Sequence, residues 1–337
     1  MWIDIFQTAI ERFNMIKSMF SGVAGLRTHQ SKMDVIGNNI ANVNTYGYKT
    51  MRTTFKESIY STNRSSADGN TTMGGRNASQ IGYGSQVGSV DLLFTSGSYA
   101  PTDSPTDCMI DGQGLFLLGP KDLDGAKGNT GVPNGTDTDP AAGQLDKFFM
   151  SRVGDFKIDG DGYLVNSDGY HVYGFVNADT DENFEMNDTV KGTLKPIRIQ
   201  ASKGKDLGGI YDDSDDPRMN IGAINIDANG TVSGIDADTK KPVTIGKIAV
   251  ANVPNANGLE KTQGPYYKAV ANVGNVKAYE AGQGSTGNLL TNGLEMANVD
   301  LAREFSDMIT TQRGFQANTR IITVSDQMLE EMMAMKR

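Results

Sequence analysis

Cysteine and histidine are almost missing from this chain, and their scarcity removes whole classes of chemistry. With one cysteine, Cys108, no intramolecular disulfide can form and no cysteine-based metal site can be built. With only His29 and His171, a histidine-rich metal centre is out of reach, and no Gly-x-Ser-x-Gly elbow presents a serine nucleophile. Long apolar runs are missing too. The longest local one, Leu115-Phe116-Leu117-Leu118, lies between glycines and falls far short of the ~18 apolar residues of a membrane span. Positive charge is in deficit at a net charge of −9, so no chain-wide field gathers phosphate backbones or anionic lipid. Gly112 and Gly114 do not extend to a dinucleotide fingerprint, and no Gly-Lys-Ser/Thr phosphate loop occurs. The aspartates from Asp155 to Asp161 and from Asp179 to Asp188 lack the spacing and closing glutamate of a calcium loop, and read as turns. His29, His171 and Cys108 read as structural. The expectation is a chain with no catalytic residue, cofactor or metal, no nucleic-acid partner and no membrane insertion.

What is present is a turn-rich centre between two helical ends. A chain of 337 residues can bury a sizeable core and could hold two domains. Its 40 glycines cluster with Asn and Asp in the middle, the composition of tight turns between short strands. Asp159-Gly160-Asp161-Gly162 precedes Tyr163-Leu164-Val165, and Ser167-Asp168-Gly169 precedes Tyr170-His171-Val172-Tyr173. Asp111-Gly112-Gln113-Gly114 before Leu115, and Asn229-Gly230 between Ile224-Asn225-Ile226 and Thr231-Val232, repeat the idiom. The run from Val243 to Val250 is apolar on both faces and reads as an interior strand. Residues 119–145 and 177–220 are polar, and read as surface excursions or a small inserted subdomain.

Between Met15 and Val43 the spacing predicts a helix. Met19, Leu26, Met33 and Ile40 recur every seven residues, with Ile36 and Val43 beside them, until Asn42-Val43-Asn44-Thr45-Tyr46-Gly47 supplies the residues that end a helix. Toward the other end Leu294, Leu301, Met308, Phe315, Ile322 and Leu329 form a stricter row, widened by Phe305, Ile309 and Met333. Asn298 reads as its N-cap, with Asp300 in the first turn, and Lys336 and Arg337 complement the dipole at the far end. A strict seven-residue row on a helix implies a left-handed supercoil against a partner. Gly22, His29, Gln312, Thr319 and Asp326 dilute these seams with small or polar residues. The fold class expected is therefore α+β: paired, coiled-coil-like terminal helices and a mainly β centre with a small polar insertion.

Specific motifs carry a family resemblance. Met15-Ile16-Lys17-Ser18-Met19-Phe20-Ser21-Gly22-Val23-Ala24-Gly25-Leu26, then Met33 through Lys49 with Asn38, Asn39, Asn42 and Gly47, resembles the N-terminal signature of flagellar rod and hook proteins. Gly293 through Leu301 with Asn298, then Gln312-Arg313-Gly314-Phe315-Gln316-Ala317-Asn318 and Asp326-Gln327-Met328-Leu329, resembles their C-terminal signature. Phe94-Thr95-Ser96-Gly97-Ser98, Asp111 through Phe116, and Ser151 through Phe156 with Gly162 through Val165 resemble the family's internal motifs. Gly74-Gly75-Arg76-Asn77 and Gly82 through Val90 are closer to the hook branch than to the distal rod, which remains the alternative. Three departures stand out. Met1–Asn14 precedes the usual start and reads as an extra segment with no signal-peptide pattern, Cys108 replaces a small apolar residue, and Gly314 replaces an alanine at about 1 kcal/mol of helix propensity.

The resemblance implies a structural subunit that assembles helically into a tube, without enzymatic activity. It implies an axial N-terminal segment at 15–60, a mainly β domain at 61–290, and an axial C-terminal segment at 291–337. Its implied partners are other copies of itself, the flagellar rod, hook-cap and hook-filament junction proteins, and the flagellar type III export apparatus, with an extracellular position after export. Apolar rows at both ends should be poorly ordered in the lone subunit and gain order on assembly. Two other classes stay open: a secreted β-core carbohydrate-active enzyme, which would need paired carboxylates in a cleft and has many aspartates to draw on, and an adhesin or other binding module, which would use the β domain alone and leave the terminal rows unexplained.

Overall fold

A computed structural model describes residues 2–69, 74–120, 148–160, 162–176, 193–199, 221–236, 240 and 242–335. Nearly all of 119–145, all of 177–220 except 193–199, and the pair Lys336 and Arg337 lie outside the described residues. The chain forms two compact units and crosses between them repeatedly. One comprises Met1–Asn42, Thr50–Leu93 and Val299–Arg337; the other comprises Val43–Lys49 and Phe94–Asn298.

The first unit opens with α1 (Trp2–Ala41), followed by strands β1 (Met51–Glu57), β2 (Tyr60–Arg64), β3 (Ser79–Gly82) and β4 (Ser85–Leu92). The α1 backbone is helical through residues 2–14 as well as through the predicted stretch. The helix stops at the asparagines: Asn42 donates its side-chain amide to the Asn38 carbonyl at 2.8 Å, an acceptor that its backbone N–H also reaches at 3.2 Å. β1 pairs antiparallel with β4, with a bulge at Thr54/Phe55, and β2 pairs with β3. The β1–β4 ribbon touches α1 through Thr28, whose hydroxyl lies 3.1 Å from that of Ser85.

The second unit holds β5 (Tyr99–Pro101), β6 (Cys108–Asp111), β7 (Leu115–Gly119), β8 (Phe149–Ser151), β9 (Phe156–Ile158) and β10 (Leu164–Asn166). It continues with β11 (His171–Val176), β12 (Thr193–Pro196), β13 (Ile221–Ile226), β14 (Thr231–Asp236) and β15 (Pro242–Asn252). Short strands β16 (Glu260–Lys261), β17 (Tyr266–Lys268), β18 (Lys277–Glu280), β19 (Asn288–Thr291) and β20 (Gly293–Glu295) complete it. The main path runs β13-β14-β15-β11-β7-β8-β17-β16, and β15 also pairs with β7 and β18. β15 contains the apolar run read as interior, and Ile248, Ala249, Val250 and Ala251 are fully buried. Phe116 and Phe156 meet edge to face at 5.1 Å in a core with Leu164, Val172, Ile226 and Val232. Each such side chain contributes about 1.5–3 kcal/mol by burial. The Asn229-Gly230 turn joins β13 to β14, and Gly230 takes φ +76°, a conformation that a side chain disfavours. Part of the segment read as a polar excursion belongs to the sheet: β12 pairs with β11 along Tyr173↔Pro196 to Val176↔Thr193. Cys108 lies in β6 with no exposure, and burial, with Asp107 adding to it, pushes its thiol far above the ordinary range.

The last helix, α2 (Leu301–Ala334), returns to the first unit. Its N-cap is Asp300, whose carboxylate accepts from Ala302 N–H at 3.0 Å and Arg303 N–H at 3.3 Å. This corrects the assignment of Asn298, which instead donates its amide to Thr95 Oγ1 at 2.8 Å. The architecture is α+β, with a helix from each terminal region and a mostly β centre.

Candidate assembly interface

Within the first unit α1 and α2 pack as an antiparallel pair. Contacts climb one helix as they descend the other: Ser18 with Ser325, Gly22 with Ile322, Gly25 with Asn318, His29 with Gly314 and Asn39 with Glu304. On α2 the covered positions are Glu304, Thr311 and Ser325, which are buried, with Met308, Phe315, Asn318, Ile322, Leu329 and Met332 half-buried among them. These alternate at three- and four-residue steps, the spacing of a helix–helix seam. One of the two rows is therefore polar or small for most of its length. On α1 the facing positions include Gly22, Gly25, His29 and Asn39.

Asn39 is the junction of three elements. Its amide donates to the Met51 carbonyl at 2.9 Å and to Glu304 Oε1 at 3.3 Å, while its Oδ1 accepts from Met51 N–H at 3.0 Å. The side chain thereby extends backbone pairing from β1 to the end of α1 and ties α2 to both. Burial raises the Glu304 carboxyl above its ordinary range, an effect that Asn39's hydrogen bond opposes. His29 lies edge-on to Phe55, centroids 5.8 Å apart, and its Nδ1 is buried without a hydrogen-bond partner among the described residues. Burial and then Lys32 pull its imidazole below the ordinary value, so the ring is neutral at neutral pH.

The second unit anchors the segments that lead to and from the helices. Glu295 of β20 is fully buried between two cations: Lys49 Nζ at 2.8 Å from Oε1 and Arg152 Nε at 2.8 Å from Oε2. Gly97 N–H also donates to Oε1 at 2.8 Å. Lys49 donates to the Thr95 carbonyl at 2.6 Å, and Arg152 to the Gly112 and Gly114 carbonyls at 2.8 and 2.7 Å. Every charged group in the cluster is hydrogen-bonded, which buried charge requires. Burial would push the Glu295 carboxyl up, but Arg152, Lys49 and the donated hydrogen bonds outweigh it and hold the carboxyl below the usual range. Gly47, at φ +67°, donates its N–H to the Glu295 carbonyl at 2.8 Å and lies against Val153, where a Cβ would meet a side-chain methyl at 2.8 Å.

The residues marked by the seven-residue rows fall into several environments. Met19, Leu26, Met33, Ile40 and Val43 are half-buried, and Ile36 is buried. Leu294 is a correction: it belongs to strand β20, paired with Ala100, because the polypeptide stays extended until Asp300 caps α2. A seven-residue interval cannot by itself tell a strand residue from the first member of a helical row. Leu301, Phe305 and Ile309 lie outside the α1–α2 seam; Phe305 and Ile309 are 50% and 52% exposed. Ile321, Val324, Met328 and Met333 are exposed too. Of the motif residues, Asn39 and Gly47 are buried, Asn42 and Asn298 half-buried, and Asn38, Gln312 and Arg313 exposed. Apolar spacing missed the row Glu304, Thr311, Asn318 and Ser325. The strict seven-residue interval was there to find it, hidden by the polarity of its members. It missed the Lys49–Arg152–Glu295 cluster as well, since nothing local to three separated motifs signals that they meet.

Comparison with known proteins completes the picture. The family model described as "Flagella basal body rod protein" matches residues 19–49. The model "Flagellar basal body rod FlgEFG protein C-terminal" matches residues 291–335. The "Flagellar basal-body rod protein FlgG" of Bacillus subtilis (strain 168) is 35% identical over 325 residues, spanning 96% of this chain and 100% of its own. The "Flagellar hook protein FlgE" of Borreliella burgdorferi is 27% identical over 442 aligned residues, with 96% of this chain and 100% of the relative covered. That of Treponema pallidum is 27% identical over 466, with the same coverage.

Proposed function

Because this chain belongs to the flagellar basal-body rod and hook protein family, we propose that it is the subunit of the hook, the flexible tube that couples the basal-body rod to the filament. It is a structural component of the flagellum. The observation that carries the polymer reading is the apolar surface left on α2 once α1 is in place. Phe305, Ile309 and Met328 are each about half exposed, although other apolar residues of the same helix, Met308, Phe315 and Ile322, are drawn into the intrachain seam. Apolar side chains left this exposed along one helix are best explained by cover from other copies. In this reading the terminal helices form a coiled-coil-like pair and line an inner layer. Met19, Leu26, Met33, Ile36, Ile40 and Val43 on one side, and Leu301, Phe305, Met308, Phe315, Ile322 and Leu329 on the other, divide between the intrachain seam and neighbouring copies.

Residues 15–60 and 291–337 then serve as axial segments and 61–290 as the outer β layers, with 1–14 an added segment. Head-to-tail contacts that do not close produce an open helical filament, the symmetry of a tube. Export runs through the flagellar type III channel to a position outside the cell, where the rod, hook-cap and hook-filament junction proteins are the neighbours. Wet, turn-rich outer surfaces suit contacts that must exchange as a bent tube rotates.

A second reading, distal rod, is favoured by the full-length likeness to the Bacillus rod protein. Negative-stain microscopy of the purified chain separates the two. Long tubes of variable curvature support the hook, and short straight ones the rod. Tubes formed equally well by a chain lacking both terminal helices would refute the helix-based assembly common to both.

A further inference from the structure

The α1–α2 seam contains three places where a glycine of one helix receives a side chain of the other. Ile322 sits against Gly22, Asn318 against Gly25, and, in the opposite sense, His29 of α1 against Gly314 of α2. The third is the tightest. A Cβ at residue 314 would lie 2.7 Å from His29 Cε1 and 2.8 Å from Nε2, closer than real Cβ contacts come. The ring cannot swing aside freely, because Phe55 stands edge-on at 5.8 Å on another element. At Gly25 a Cβ would meet the Asn318 amide at 2.8 Å, and at Gly22 it would meet Ile322 Cγ1 at 3.2 Å.

The three knobs are unlike in size and polarity, and the sockets point in both directions. Sliding α2 by one heptad would therefore mismatch them, driving Ile321 and Ile322 against the His29 ring in one direction. The apolar row Met308, Phe315, Ile322 and Leu329 repeats every seven residues, so it would accept a one-heptad slide and does not choose a register by itself. We infer that the His29–Gly314 contact, seconded by Gly25–Asn318, sets the register of the terminal helix pair and so selects which α2 residues remain outward for a second copy. The register is a property of one chain and does not depend on the proposed hook function; only its effect on polymer contacts rests on that reading.

The test uses the full-length chain with Ser18→Cys and Ser325→Cys, whose hydroxyls lie 3.4 Å apart, as a register reporter. The native Cys108 is buried and does not compete. Disulfide yield is measured by peptide mass on the monomer and on polymerised material, with helix content followed by circular dichroism. Gly314→Ala should lower the yield at least about fivefold, and adding His29→Ala should restore it to within about twofold. Helix propensity alone predicts the opposite sign, since alanine favours the helix over glycine. A yield unchanged by Gly314→Ala, a double variant that is not rescued, or a parent pair that fails to cross-link in either state would overturn the inference. If Gly314→Ala loses helicity, rescue of both helicity and yield by His29→Ala supports it, and no rescue refutes it. Failure to polymerise with normal cross-linking would count against the assembly reading alone.

Discussion

At the scale of single residues the two buried glutamates behave oppositely, and pH separates them. Glu295 is held below its ordinary range by Arg152 and Lys49, so its contribution is present above the unfolded carboxyl value and is lost as pH falls through the depressed folded one. Glu304 is raised by burial, so ionising it costs stability as pH climbs through and past the unfolded value. Glu304→Gln should keep the Asn39 hydrogen bond and remove that cost. Thermal unfolding of the helix pair followed by circular dichroism between mildly acidic and neutral pH should show less pH dependence in the variant. For Glu295→Ala we expect a loss of about 3–5 kcal/mol in chemical denaturation at neutral pH, because Lys49 and Arg152 would be left buried without their anion. A loss below about 1 kcal/mol would mean that backbone carbonyls suffice for both cations.

At the scale of elements, α2 combines a strong start with half-exposed apolar side chains outside its seam. Asp300→Ala removes the acceptor for two N–H groups and should lower helix stability by about 1 kcal/mol, read as a shift in the thermal midpoint. The same change at Asn298 should leave the α2 start intact, since that residue bonds Thr95. Phe305→Ser with Ile309→Ser alters two half-exposed side chains, so monomer stability should move by no more than about 0.5 kcal/mol per site while polymerisation is lost. Turbidity and microscopy check the second half of that expectation. Normal tubes from this variant would place the subunit contacts elsewhere.

At the scale of the whole molecule, ordering and assembly should be coupled. Long helices with half-exposed apolar side chains, and a seam polar or small along one of its two rows, hold little stability of their own, because helices draw most of it from tertiary packing. Far-ultraviolet circular dichroism should show helicity rising as monomer converts to tube; equal helicity in both states would show the pair to be fully formed beforehand. The polar segment 177–220 was read as a surface excursion, but β12 within it pairs with β11, so a deletion probing bending must spare Thr193–Ile199. Removing residues 201–220 should preserve polymerisation and alter curvature or bending stiffness, measured on single tubes.

Local chemistry determined much of this protein. Asparagine and glycine after Ala41, Asp-Gly and Asn-Gly turns, and the alternation or continuity of apolar residues are short-range signals, and the helices and several central strands follow from them. The family signatures, likewise, are contiguous and could be read directly. Tertiary structure alone decided that the intrachain seam sets Gly22, Gly25, His29 and Asn39 against Ile322, Asn318, Gly314 and Glu304, that Leu294 belongs to a strand, and that Lys49, Arg152 and Glu295 meet. The physical reason is common to all three. Spacing specifies which residues share a face, but which face is covered, and by what, depends on groups far apart in the chain that only the folded packing brings together.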